Sequence, residues 1–133
     1  MGAMMNKISI LGVDVNNLKF KEVETDLINT LKEKGKKTVF TPNTEIIMMC
    51  QKDLELRKII NSGDIVTPDG IGLIYASKLY KAGLEERVTG FDLSMKLLEI
   101  SKEGYKIFVS TSFIFLIISF SIFSKSESLK KYP

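Results

Sequence analysis

Two short apolar runs in this chain stop at the same dipeptide, Thr-Pro, and each is followed by a stretch with helical spacing that stops at glycine. KTVFT (37–41) ends at Pro42, and DIVT (64–67) ends at Pro68. Proline has a fixed φ and no N–H, so it cannot continue a central strand and turns each run into a loop. Behind the first loop, Asn43 or Thr44 can cap a helix running through IIMMCQKDLELRKII to about Asn61, with Gly63 after it. Behind the second, Pro68-Asp69-Gly70 leads into a helix over 71–81, ended by Gly83.

The same alternation continues on both sides. KISILGVDV (7–15) reads as one β-branched strand closed by Asn16-Asn17. Phe20, Val23, Leu27, Ile28 and Leu31 recur at helical spacing before Gly35. A further helix over 91–102 stops at Gly104, and YKIFV (105–109) opens a fourth strand. The order βαβαβααβ predicts one α/β domain, a Rossmann-like and mostly parallel sheet flanked by helices. A chain of 133 residues is long enough for one such core, which residues 5–109 would form. Met1-Gly2-Ala3-Met4 ahead of a second Met reads as an expression remnant, with no apolar stretch after it that would make a signal peptide.

Residues 107–124, IFVSTSFIFLIISFSIFS, hold no charge, Gly or Pro. Their length approaches the ~20 residues that cross a bilayer. Ser110, Thr111, Ser112, Ser119, Ser121 and Ser124 dilute the stretch, and its Phe and Ile suit strands as well. A membrane span, a pair of buried strands and a stretch foreign to the fold all fit the pattern. Residues 110–133 are accordingly set apart as an atypical tail.

Composition narrows the chemistry. The chain has no histidine and one cysteine, Cys50. That excludes imidazole bases, His-ligated metals, disulfides and multi-cysteine zinc sites. Acid–base work must rest on Asp, Glu, Lys, Tyr or the substrate. A net charge of +3 with only two arginines, Arg57 and Arg87, argues against a nucleic-acid partner. The slight lysine excess suits phosphates or an anionic membrane surface.

In a parallel sheet, ligands bind beyond the carboxyl ends of the strands, where helix N-termini point their free N–H groups outward. TPNTE (41–45) and TPDGIG (67–72) both fall at such ends, on one edge of the sheet. Taken alone, TPDG is a β-turn in which Asp69 caps the next helix, and Thr41 and Asn43 are strand-end and N-cap residues. Arg87, in EERVTGFD, is either a surface ion pair with its neighbouring glutamates or a cation at a helix-entry loop. Gly70 and Gly72 either admit a ligand close to the backbone or serve turns and packing. No GxGxxG, P-loop or metal-ligand spacing is present. Cys50, Met48 and Met49 read as core.

TPNTEII, NSGDIVTPDGIGLIYASKL and ERVTGFDL, in this order, resemble the successive blocks of the WecG/TagA/CpsF glycosyltransferases, most closely the TagA branch. The resemblance covers roughly residues 7–108. It implies an inverting transfer of N-acetylmannosamine from a UDP-sugar donor to N-acetylglucosamine on an undecaprenyl diphosphate acceptor, in wall teichoic acid synthesis. It implies Asp69 as general base, Thr41 and Asn43 in the same pocket with Gly70 and Gly72, and Arg87 facing phosphate. No metal or cofactor is implied beyond the substrates. The place of work would be the inner face of the bacterial membrane, with peripheral attachment.

Members of the family continue past a YKIF-like strand with a Gly-rich loop, a helix, further strands and a membrane-associated appendage. Here the strand runs into VSTSFIFLIISF, so residues from Ser110 onward are expected to be altered or mis-assigned, and an incomplete domain is expected to self-associate. The competing reading is a non-catalytic α/β ligand-binding module with a membrane-associating C-terminal segment.

Overall fold

The computed structural model describes residues 6–81, 83–102, 104–111 and 118–123. The chain opens not with one strand but with two, β1 (Lys7–Ile10) and β2 (Val13–Asn16), paired antiparallel. Leu11 and Gly12 join them with φ of 49° and 84°. Two successive positive φ values make the two-residue turn whose twist suits a hairpin, and Gly12 accepts that conformation without strain. The single strand expected over 7–15 is thus corrected: the glycine inside the β-branched run is a turn.

Helix α1 (Phe20–Lys32) follows, then β3 (Lys37–Phe40). The long helix expected after Pro42 is two, α2 (Thr44–Met49) and α3 (Leu54–Asn61). The break is chemical. Asp53 Oδ1 accepts from the Leu56 N–H at 2.9 Å and starts α3 as its N-cap. The break leaves Met48 at 55% exposed and Met49 half-buried, so neither fills the core as expected, whereas Cys50 is fully buried.

The remaining elements are β4 (Ile65–Val66), α4 (Ile71–Leu79), α5 (Gly90–Ser101), β5 (Lys106–Thr111) and β6 (Ile118–Phe123). The larger sheet has the order β4-β3-β6-β5. Only β3 and β4 pair parallel; β6 lies antiparallel to both β3 and β5. The architecture is mixed α/β with one parallel pair, which corrects the mostly parallel, Rossmann-like sheet. The cause is the Phe/Ile-rich stretch, whose described parts form an antiparallel pair and bring β6 beside β3. Among the described residues no helix is long and apolar enough to cross a membrane. Residues 112–117 and 124–133, most of the expected tail, lie outside the described residues.

Alternation along β3 and β4 divides the core in two. Val39 and Ile65, paired across the strands, face Val23, Leu27 and Leu31 of α1 and Leu93 and Leu97 of α5. Phe40 and Val66, the next pair, face the hairpin and α2–α4 through Ile10, Val13, Val15, Ile46, Ile47, Ile60 and Leu73. The period-2 pleat thus places one helical layer on each side of the pair. Each fully buried aliphatic side chain contributes about 1.5–3 kcal/mol of transfer energy.

The outer edge of β4 is closed by a side chain. Asn16, fully buried at the end of β2, accepts the Val66 N–H on Oδ1 at 2.7 Å. A buried N–H left without an acceptor costs about 1–3 kcal/mol. Asn16→Ala should therefore lower unfolding free energy by about that amount in urea titration, well beyond an exposed polar change.

Candidate active site

Because β3 and β4 are parallel, both release their following loops at one edge. Backbone bonds hold these loops together: Thr67 N–H donates to the Phe40 carbonyl at 2.9 Å, and Asp69 N–H to the Pro42 carbonyl at 3.1 Å. The loop ahead of α5 joins them, with Val88 N–H donating to the Pro68 carbonyl at 3.0 Å. The TPN, TPDG and RVTG segments thus converge, as the two-loop argument anticipated for the first pair.

Asp69 stands where they meet. It is half-buried, and its Oδ2 accepts from the Gly90 N–H at 3.0 Å. It does not cap α4, as the turn reading expected; the N-cap there is Gly70, and no side chain caps the helix. Gly70 has φ of 131°, a conformation that suits glycine alone and that turns the chain between Asp69 and α4. The carboxylate lies instead at the start of α5, where free N–H groups and the helix dipole favour negative charge. The structure gives Oδ1 no hydrogen-bond partner among the described residues.

Asn43 caps α2, its Oδ1 accepting from the Ile46 N–H at 2.9 Å. Thr41 is buried at the end of β3, 1% exposed, beneath the loop. Gly70 and Gly72 bring α4 against α2. A Cβ on Gly70 would lie 3.9 Å from the Asn43 Cβ, and one on Gly72 only 2.6 Å from Thr44 Oγ1. The starts of α2, α4 and α5 therefore gather around one carboxylate.

Arg87 is exposed and has neither ion pair nor hydrogen bond among the described residues. The surface pair expected with its neighbours is not formed. Glu85 reaches Lys19 at 3.5 Å, and Glu86 Oε2 accepts from the Phe20 N–H at 3.3 Å. Both glutamates tie the loop to the start of α1, and the guanidinium is left unpaired among the described residues. Cys50 is no nucleophile: burial pushes its thiol up, away from the thiolate.

Sequence reasoning passed over the residues that hold the third loop. Asn16-Asn17 read as turn formers, yet Asn17 Oδ1 accepts from the Glu85 N–H at 3.0 Å and its Nδ2 donates to the Gly83 carbonyl at 3.1 Å. Ser77 Oγ accepts from the Leu84 N–H at 3.1 Å. Thr67 is fully buried, and its Oγ1 has no partner among the described residues. Adjacent carboxamides after a β-branched run were the available signal, but their partners lie 50 to 68 residues away.

A family model, described as the glycosyl transferase WecG/TagA/CpsF family, matches residues 8–112. Two curated relatives carry the name N-acetylglucosaminyldiphosphoundecaprenol N-acetyl-beta-D-mannosaminyltransferase. The one from Bacillus spizizenii is 32% identical over 68 residues, covering 51% of this chain and 26% of the relative. The one from Bacillus subtilis is 31% identical over 68 residues, covering 51% of this chain and 27% of the relative. The matched stretch thus spans about a quarter of either relative's length.

The Asp69–Gly90 bond separates two roles of one side chain. Asp69→Asn retains an oxygen acceptor for the Gly90 N–H and should leave stability within about 0.5 kcal/mol of the parent, whereas Asp69→Ala should cost about 1 kcal/mol. Thermal and urea unfolding of the two variants side by side provide the measurement.

Proposed function

Since the chain belongs to the WecG/TagA/CpsF family of glycosyl transferases, we propose that it carries the catalytic base and part of the donor site of an inverting sugar transfer. The donor in this reading is UDP-N-acetylmannosamine, and the acceptor is N-acetylglucosamine on undecaprenyl diphosphate. The reaction belongs to wall teichoic acid synthesis, with the protein held peripherally at the inner face of the bacterial membrane. The relatives' names supply the sugar and the lipid carrier. The observation that supports it most is the meeting of the TPN, TPDG and RVTG loops at Asp69.

Inverting transfer needs a base on the acceptor side and charge stabilisation on the leaving side. Asp69 suits the first task, with Oδ2 anchored on Gly90 and Oδ1 without a hydrogen-bond partner among the described residues. As the acceptor oxygen bonds to the anomeric carbon, its proton passes to Oδ1 and the bond to UDP breaks. Arg87, unpaired in the adjoining loop, meets the negative charge that develops on the departing diphosphate. The first-turn N–H groups of α4, which no side chain caps, add to it. In this reading Asn43 and Gly70, side by side where α4 meets α2, face the donor, with buried Thr41 and close-packed Gly72 supporting them. UDP and its sugar are substrates; the reading calls for no further cofactor.

UDP release from UDP-N-acetylmannosamine, measured with and without the lipid-linked acceptor, tests the assignment. Acceptor-dependent release is the expected result. Asp69→Asn should lower kcat by about 10²–10⁴-fold with its fold intact, and near-normal turnover would sink the base assignment. Arg87→Ala should weaken UDP binding by about tenfold or more in calorimetry, without loss of stability, because a charge-assisted contact is worth about 1.5–3 kcal/mol.

A further inference from the structure

Helix α4 is apolar on two sides. Leu73 and Ser77 are buried against the hairpin-side core, with Ile74 packed beside them. The opposite side carries Ile71, Tyr75 and Leu79, which are 55%, 61% and 86% exposed, and Tyr80 follows at 60%. Their spacing of four aligns them in one stripe along the helix. A contiguous apolar surface of this kind marks a docking face.

Along α4 and the turn behind it the charge has a single sign, and the nearest acids in the chain, Asp69 and Glu85, flank the segment. Lys78 and Lys81 are exposed, and the Lys78 ammonium lies 5.7 Å from the Tyr75 ring. No Asp or Glu occurs from Gly70 to Leu84. The other exposed helical stripe, Phe91, Met95 and Leu98 on α5, is interleaved instead with Asp92, Lys96 and Glu99. A second copy docked α4 against α4 would set Lys78 and Lys81 against a helix that carries no acid to receive them. Tyrosine rings, aliphatic tips and lysines that reach past them suit the headgroup layer of an anionic bilayer.

We infer that the outer face of α4 docks onto an anionic lipid surface, with Tyr75 and Leu79 entering the acyl boundary and Lys78 and Lys81 meeting lipid phosphates. The stripe begins at Ile71, two residues from Asp69, so docking holds the candidate base at the depth where a lipid-linked diphosphate emerges. That last placement rests on the proposed acceptor; the surface itself does not.

Sedimentation of the full chain with vesicles of phosphatidylglycerol and phosphatidylcholine, against phosphatidylcholine alone, tests the inference. Binding should require the anionic lipid. Tyr75→Glu with Leu79→Glu should weaken it about tenfold or more while unfolding stays unchanged, because both side chains are exposed. Lys78→Gln and Lys81→Gln should each weaken it about fivefold. Leu79→Trp, in a chain without other tryptophan, should shift its emission to the blue on adding vesicles. Absence of vesicle binding would overturn the inference. So would undiminished binding by the glutamate variant, or a glutamate variant that only converts an oligomer to monomer. The vesicles contain no acceptor, so failure of UDP release with vesicle binding intact would count against the transfer alone.

Discussion

The parallel contact between β3 and β4 is short, with Val39 opposite Ile65 and Phe40 opposite Val66, yet the rest of the architecture depends on it. Two consecutive residues on each strand point to opposite faces, and each face recruits its own helical layer. Parallel direction also sends both strands into their Thr-Pro loops at the same edge. A two-residue strand is too short to hold its place by ladder bonds alone. Asn16 compensates on the outer side by accepting the Val66 N–H, and burial of Ile65 and Val66 between the layers does the rest.

From that edge the candidate site is assembled mainly by backbone. Pro42 and Pro68 have no N–H to spend, but their carbonyls receive Asp69 and Val88, so prolines that end strands also join loops. Asp69 adds the only side-chain bond from the TPDG loop to α5 among the described residues. Its carboxylate therefore has one oxygen committed to structure and one free. The same economy holds around Arg87. Glu85 and Glu86 spend their charges on α1, which leaves the cation between TPDG and α5 unpaired. Unpaired Arg87 and uncapped α4 are the unspent positive charge on which the proposed donor site relies.

Local signals in the sequence were legible where one residue type has one physical consequence. Prolines closed β3 and β4, Asn43 capped α2, and Gly104 turned the chain after α5 at φ of 95°, whereas after α1 the left-handed position falls on Lys34, one residue ahead of Gly35. The failures have equally specific causes. Gly12 sits in a β-branched run and looked like a tolerated strand glycine until Leu11 joined it at positive φ. QKD between two helical stretches kept the helical period, but Asp53 capped a new helix and left Met48 outside. Asp69 precedes a helix in sequence and serves a different one in space, because Gly70 turns the chain between them.

By itself the sequence determined the residue types available for chemistry: no histidine for acid–base work, two Thr-Pro loops and a motif order that places the chain among glycosyl transferases. Those properties are set by composition and by contacts within a few residues. Strand direction, the helix served by Asp69, the freedom of Arg87 and the clamps made by Asn16 and Asn17 were decided only in three dimensions. Each depends on partners roughly 20 to 70 residues away, and short-range pattern holds no information about which of several chemically equal partners packing will bring near.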